Sequence, residues 1–234
     1  MTYSILSLLA VTIFCAIHLL AVKTQALDFY MHGRFLSAGG GIAIAYVFID
    51  LLPKLSASDA IVSENLAGVF PYFQRHVYIM ALAGFLLFFI VDRASQNPQS
   101  QKRAFYLSLG SYALFNFLVG YGIADPYNPE VKPLALFTFA MGLHYFTNDY
   151  SLNASYGDLY NREGKWILML CLYLGWWMGQ SYILSRTAIA LVSAFIGGGV
   201  MMNVIRHELP KNNPNNLSAF ICSTVFYTAI LLAF

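Results

Sequence analysis

The stretch YSILSLLAVTIFCAIHLLAV, residues 3–22, contains no Asp, Glu, Lys or Arg. As an α-helix rising about 1.5 Å per residue, it can cross the hydrocarbon layer of a bilayer, which is about 30 Å thick. A cleavable signal peptide normally carries positive charge ahead of a shorter apolar segment, and here no Lys or Arg precedes the run. We therefore predict that residues 3–22 form a retained membrane-spanning helix.

Seven more apolar runs follow the first, and short polar joints separate them. The chain is 59% hydrophobic and 10% charged, whereas a soluble domain carries about 25% charged residues. Because backbone inside lipid must satisfy its own hydrogen bonds, and the runs lack the alternation of barrel strands, we predict an all-α helix bundle. No joint is long enough to divide it, so residues 1–234 are predicted to form a single transmembrane domain in a lipid bilayer. The eight predicted spans are 3–22, 34–52, 76–92, 104–124, 133–152, 165–184, 187–205 and 217–234, with Pro53 in the joint after the second.

The distribution of Lys and Arg over the joints predicts the orientation of the bundle. Cytoplasmic joints carry an excess of these residues. Nine lie on one set of alternate joints and four on the other, which predicts that both termini are outside the cytoplasm, in what we expect to be a bacterial inner membrane. The nine are Lys23, Arg34, Arg93, Lys102, Arg103, Arg162, Lys165, Arg206 and Lys211, and the four are Lys54, Arg75, Lys132 and Arg186.

Two glycine-rich runs indicate an internal repeat. The second span contains three glycines at 39–41 and leads to Leu-Pro-Lys at 52–54, while the seventh contains three at 197–199 and leads to Leu-Pro-Lys at 209–211. These spans are predicted to cross in opposite directions, as in an inverted repeat that relates spans 1–3 to spans 6–8. The alternative is that the glycines only allow close helix contact.

Several classes of function find no support in the sequence. A net charge of +2, with the charges confined to the joints, argues against nucleic-acid binding. The sequence has no GxSxG, HExxH or phosphate-binding loop, so we do not expect an enzyme. The three cysteines lie in three different apolar runs without metal-ligand spacing, which is typical of packing residues.

Polar side chains at mid-membrane depth define the candidate site, because placing them in lipid is costly. Asn116 and His144 lie near the centres of the fourth and fifth spans, and Asn148 and Asp149 lie about one turn nearer the cytoplasmic end. His144 and Asn148 share a helix face, whereas Asp149 is rotated from it by about 140°. Imidazole, amide and carboxylate groups together suit zinc or a related divalent cation. The alternative is that these groups hydrogen-bond only within the bundle.

Other polar residues inside the spans are further candidates. His18 is a lone histidine on an apolar helix, a setting in which a structural role is more common. Asp50 precedes Leu51, Leu52 and Pro53 at the outer end of the second span and is more typical of a charge at headgroup level. Gln180 and Asn203 complete this group.

The spans and their order resemble the ZIP (Zrt/Irt-like) family of divalent metal transporters. Residues 46–53, YVFIDLLP, look like the end of the family's second span. Residues 115–120, FNFLVG, and 144–149, HYFTND, fall where the family's fourth and fifth spans carry histidine and carboxylate ligands. The resemblance implies an eight-helix fold that transports a divalent cation of the zinc or iron class, as substrate rather than cofactor.

The ligand pattern is reduced relative to that family. Phe115 and Val119 stand where the fourth span of the family has a histidine and a carboxylate, and Tyr145 and Asn148 replace ligands of the fifth. The chain is more similar to bacterial ZIP-like membrane proteins that share a fifth-span histidine followed five residues later by Asp. That closer likeness implies no known activity. The replaced ligands argue against a binuclear site and leave one reduced site as the expectation.

Two functional hypotheses follow. The first is transport or binding of divalent cations at one site between the fourth and fifth spans, formed by Asn116, His144, Asn148 and Asp149. The second is a metal-independent scaffold, partner subunit or sensor that keeps the fold without the ions. A homodimer is compatible with either hypothesis.

Overall fold

The computed structural model describes residues 3–20, 28–66, 68, 75–96, 100–124, 131–182, 184–209 and 214–233. Within these ranges the chain is almost entirely helical and contains no strand. The prediction of an all-helical protein is therefore confirmed for the described residues. Lys23, Lys211 and both terminal residues lie outside them.

Nine α-helices and three π-helical turns make up these ranges. The turn Val47–Leu51 joins the second helix to the third, Tyr160–Gly164 joins the sixth to the seventh, and Val204–Glu208 follows the eighth. The helices are α1 Tyr3–Leu20, α2 Asp28–Tyr46, α3 Leu52–Leu66, α4 His76–Gln96, α5 Gln101–Ile123, α6 Val131–Leu159, α7 Lys165–Ser181, α8 Arg186–Asn203 and α9 Pro214–Ala233.

Six helical stretches of the described chain are long and apolar enough to cross a membrane. They are Tyr3–Leu20, Gly33–Leu66, His76–Gln96, Gln101–Ile123, Arg186–Arg206 and Asn216–Ala233. The two remaining predicted spans, 133–152 and 165–184, are also largely helical, as parts of α6 and α7. However, α6 carries several buried polar side chains and α7 has only 17 residues. The helical bundle is confirmed, and eight crossings remain a prediction.

The prediction of a joint at Pro53 is wrong. Helix α3 continues from α2 through the π turn and ends only at Leu66. Proline normally breaks a helix because its ring collides with the carbonyl four residues earlier and it offers no N–H. Here the backbone N–H of Leu52 bonds the carbonyl of Val47, five residues back, so the wider turn accommodates the proline that follows it.

Glycines bring two pairs of helices into backbone contact. Gly84 on α4 and Gly198 on α8 each face a backbone carbonyl of the other helix, so closely that a Cβ atom at either position would collide with it. Gly120 on α5 and Gly175 on α7 make the same reciprocal contact. Small residues allow such close packing in lipid, where van der Waals contact replaces the hydrophobic effect between helices.

A glycine also interrupts α6 near its end. Gly157 has φ 42°, in the region that side-chain-bearing residues rarely adopt. The chain bends there and passes through the π turn Tyr160–Gly164 into α7. This bend places Tyr160, which is fully buried, against the apolar cluster formed by Phe105, Leu109, Leu152 and Leu168.

Candidate functional site

Three helices meet at a buried group of polar side chains, His18 on α1, Asn116 on α5 and Asp149 on α6, which we call the polar centre. The Nδ1 atom of His18 lies 2.6 Å from Oδ2 of Asp149, and its Nε2 atom lies 3.0 Å from Oδ1 of Asn116. Each of the three side chains is only 1% exposed. Burying a charged or polar group without a partner is costly, and here the three side chains serve as hydrogen-bond partners for one another.

The amide of Asn116 fixes the direction of these hydrogen bonds. Its Nδ2 atom donates to the backbone carbonyl of Tyr112 at 2.8 Å, which leaves Oδ1 to face His18. Since Oδ1 can only accept, Nε2 of His18 must donate. The short contact on the other side of the ring then requires a proton between Nδ1 and Asp149, because two lone pairs would otherwise face each other. The pair holds together as long as that proton is present.

One oxygen of Asp149 has no hydrogen-bond partner in the described structure. This atom, Oδ1, is buried, and so are the hydroxyls of Tyr145 and Tyr160, which make no hydrogen bond of normal geometry. Both hydroxyls interact electrostatically with the carboxylate, and that of Tyr160 lies near enough to donate to it. Buried polar atoms are nearly always hydrogen-bonded in proteins. These three oxygens are therefore suited to bind water or a cation.

A second polar contact joins α5, α6 and α8 one residue away from Asp149. The hydroxyl of Tyr112 donates to Oδ1 of Asn203 at 2.9 Å. The Nδ2 atom of Asn203 donates in turn to Oδ1 of Asn148 in a short hydrogen bond. Both amides are buried. This second contact is linked to the polar centre through Tyr112, whose backbone carbonyl accepts from Asn116.

His144 lies on α6, one helical turn before Asn148. Its ring packs at 5.9 Å, edge to face, against Phe115, which also packs against Phe88 and Tyr145. Phe115 and Val119 are both buried in the largest apolar cluster. Phe115 and Val119 are therefore packing residues of the apolar core in this structure.

Two internal cavities open toward opposite ends of α8. The Arg206 cavity, about 350 Å³, is lined by polar side chains from α4, α5, α6 and α8, including Ser95, Ser108, Ser111, Tyr112, Ser151 and Asn203. The Lys54 cavity, about 460 Å³, has Lys54, Ser58 and Arg186 toward one end and an apolar floor of Val119, Phe137, Met141, Ile196 and Val200. Of these two cavities, only the Arg206 cavity is lined by residues that make the polar contacts described above, namely Tyr112 and Asn203.

The described residues contain no group of three or more His, Cys, Asp or Glu side chains arranged to hold a metal ion. The polar centre supplies two such side chains, His18 and Asp149, whereas Oδ1 of Asn116 faces the opposite ring nitrogen of His18 and only orients the ring. Imidazole nitrogen and carboxylate oxygen suit zinc and similar divalent ions. A cation could therefore bind here only after the proton between His18 and Asp149 leaves.

The four sequence-predicted ligands fall into three places. Asn116 and Asp149 lie at the polar centre and are bridged by His18, Asn148 contacts Asn203, and His144 packs against Phe115. The sequence pattern favours a structural role for His18, and no spacing rule could join it to residues about a hundred positions away. Its depth in the first span, matched to that of Asp149 in the fifth, was the available signal.

No protein-family model matches this chain, and a search of the curated proteins finds no significant match.

Proposed function

We propose that this protein is a membrane transporter of divalent cations, of the zinc or iron class, and that the cation binds at the polar centre. The observation that carries the proposal is the buried carboxylate of Asp149, held by His18 at one oxygen and unpartnered at the other. An ionisable group at this depth in a bundle of apolar helices is expensive, and function is the usual reason for keeping it.

The position of the polar centre between helices supports transport over static binding. Its three side chains come from α1, α5 and α6, so a change in the packing of these helices alters the site. One cavity approaches the adjoining amides from one end of the bundle, while the other ends in an apolar floor. Access from one side at a time is what a carrier requires.

The helix pairs also support the proposal of eight spans related by an inverted repeat. The repeat exchanges α1, α2 and α4 with α7, α8 and α9, and exchanges α5 with α6. Under this exchange the α4/α8 pair becomes α9/α2, and the α1/α6 pair becomes α7/α5. All four pairs are among the most extensive helix contacts of the described chain.

The proposed topology has a direct test. With eight crossings and the orientation predicted from Lys and Arg, epitope tags added before Met1 and after Phe234 are both accessible to antibodies on intact spheroplasts. Accessibility of only one tag would contradict the even number of spans, and inaccessibility of both would reverse the orientation.

Zn²⁺ titration of the purified protein tests the proposed function. We expect one saturable site that is lost in Asp149→Asn, because the amide removes the charge that attracts the cation. The matched control is Asp158→Asn, an exposed carboxylate on the same helix. If the wild-type protein binds no Zn²⁺, Fe²⁺ or Mn²⁺, the proposal is wrong.

Binding is expected to release a proton, since metal ligands must be deprotonated. The cation replaces the proton between Nδ1 of His18 and Oδ2 of Asp149, so protons and cation compete. Affinity then rises with pH, and calorimetry in buffers of different ionisation enthalpy measures the proton released. An affinity that does not change with pH would place the cation elsewhere.

The second candidate is a metal-independent scaffold, partner subunit or sensor. It is favoured by the fact that both ring nitrogens of His18 already have protein partners. In that case the polar centre only fixes the packing of α1, α5 and α6. The titration separates the two candidates, because a scaffold binds no cation while losing stability in the same variants.

A further inference from the structure

The Arg206 cavity ends at the amides that adjoin the polar centre. Its lining includes Tyr112 and Asn203, and Asn203 donates a hydrogen bond to Asn148. Asn148 is the neighbour of Asp149 in the chain. Tyr112 also accepts a hydrogen bond from Asn116 of the polar centre at its backbone carbonyl, so the lining of the cavity touches the polar centre at this residue.

The lining of this cavity has the character of a hydrated space. Serine hydroxyls come from three helices, with Ser95 on α4, Ser108 and Ser111 on α5, and Ser151 and Ser155 on α6. Cavities with several polar groups hold ordered water, whereas apolar cavities of similar size stay dry. The bottom of the Lys54 cavity, formed by residues such as Met141 and Val200, belongs to the second kind.

The charges in the Arg206 cavity balance each other. Nε of Arg206 donates to Oδ2 of Asp92 at 2.8 Å, and Nε2 of Gln96 donates to the same oxygen at 2.7 Å. Asp92 thus neutralises a guanidinium that would repel a cation. Because the Arg206–Asp92 pair carries no net charge, it does not repel a hydrated cation from this space.

We propose that the Arg206 cavity is a water-filled vestibule and that Asn203 and Asn148 form the hydrophilic bridge through which the cation passes between this vestibule and the polar centre. This inference rests on the proposed function. The amide oxygens replace part of the cation's hydration shell at the narrowest point, as carbonyl and side-chain oxygens do in other selective pores. The positive-inside prediction makes this end of the bundle the cytoplasmic one.

The vestibule can be tested without any transport assay. In a background of Cys15→Ala, Cys171→Ala and Cys222→Ala, the variant Ser111→Cys places a thiol in the vestibule next to the bridge, and Ser193→Cys places one in the Lys54 cavity. A membrane-impermeant, positively charged methanethiosulfonate is applied to inverted and right-side-out vesicles. We expect Ser111→Cys to react from the face that carries Arg93, Lys102 and Arg103, and not from the opposite face.

The bridge is tested by Zn²⁺ flux into proteoliposomes. Asn203→Leu removes the amide, and we expect the rate to fall at least about tenfold, since the partner amide of Asn148 is left in a dry passage. The matched control is Asn153→Leu, which removes a buried amide of α6 that bonds Asn161 and lines neither cavity. Equilibrium Zn²⁺ binding by Asn203→Leu confirms that the variant is folded.

The outcomes separate this inference from the proposed function. A thiol at position 111 that is unreactive from both faces overturns the vestibule, whether or not the protein transports. Wild-type flux that Asn203→Leu leaves unchanged overturns the bridge alone. If the wild-type protein binds no cation, the proposed function fails together with the bridge, while the thiol reaction still decides the vestibule.

Discussion

The Arg206 cavity and the Lys54 cavity share three of their helices but differ in what they reach. Helices α5, α6 and α8 contribute to both. Toward Arg206 they present serines, a tyrosine and Asn203, and the cavity adjoins the polar contacts of the bundle. Toward Lys54 they present Val119, Met141 and Val200, and the cavity ends on apolar side chains.

The difference shows how polarity can be distributed along a helix as well as around it. On α8, residues 189–200 line the Lys54 cavity with mainly apolar atoms, and the polar lining begins at Asn203. The change occurs within about one turn, at the point where the π turn Val204–Glu208 begins. A π turn often marks a functional position in a helix, because it shifts the side chains that follow.

The largest effect is expected from removal of Asp149 from the polar centre. Asp149→Ala leaves His18 buried beside a void, and loss of one partner of a buried ion pair costs about 3–5 kcal/mol. We expect this loss in the free energy of unfolding in detergent, followed by tryptophan fluorescence. Asp158→Ala on the same helix is exposed and is expected to change stability by less than about 0.5 kcal/mol. Equal stability of the two variants would contradict the structure of the polar centre.

The second prediction compares a helix contact with a cavity wall on α5. Gly120 faces the backbone of α7, and Gly120→Ala should destabilise the protein by about 1–3 kcal/mol because the added methyl group overpacks the contact. A methyl group added at Gly122, which lines the Lys54 cavity, would meet no atom of another helix within 4 Å, so Gly122→Ala should be neutral or slightly stabilising. Thermal unfolding of both variants in one detergent measures the difference. A cost at Gly122 as large as that at Gly120 would refute the close approach of α5 and α7.

The third prediction concerns two substitutions that introduce polar groups at and beside the apolar floor of the Lys54 cavity. Phe115→His with Val119→Glu adds an imidazole beside His144 and a carboxylate at the floor of the Lys54 cavity. We expect tighter Zn²⁺ binding by about tenfold, equivalent to about 1.4 kcal/mol. Phe115→Leu with Val119→Leu is the control for altered packing. If the double variant is folded and its Zn²⁺ affinity is unchanged, these positions do not match the ligand positions of the resembled family.

The smallest effect is expected at the mouth of the Arg206 cavity. Asp92→Asn removes the partner of Arg206, a pair whose side chains are 15% and 39% exposed. Partly exposed pairs contribute about 0.2–1 kcal/mol, so stability should change little. Zn²⁺ flux should fall at low ionic strength and recover with added salt, because the uncompensated guanidinium repels the cation and salt screens it. The flux assay at two salt concentrations measures this, and a salt-independent loss would point to a packing defect.

Much of the fold could be predicted from the sequence, because span length and hydrophobicity are local properties. Each predicted span corresponds to a helix of the structure, and the boundary that failed, at Pro53, failed for a local reason. A π turn before the proline removed the clash that normally ends a helix. No composition rule distinguishes a proline that follows such a turn from one that ends a helix.

The site was less predictable, because it depends on contacts between distant helices. Depth in the predicted spans selected Asn116 and Asp149, which both contact His18 in the structure. Helical periodicity, in contrast, groups His144 with Asn148 and sets Asp149 apart. In the structure Asp149 points to α1 and Asn148 to α8, so the rotation of about 140° separates two polar contacts instead of excluding one residue. His18 and Asn203 complete these contacts, and their partners are set by packing alone.

Binding of the cation at the polar centre is tested most directly by asking whether it requires His18 or His144. Zn²⁺ titration of His18→Ala and His144→Ala, at a pH where the wild-type protein binds, compares the polar centre with the histidine that packs against Phe115. We predict that His18→Ala abolishes binding, whereas His144→Ala retains it within about threefold, a difference below about 1 kcal/mol. Loss of binding in His144→Ala with retention in His18→Ala would contradict binding of the cation at the polar centre.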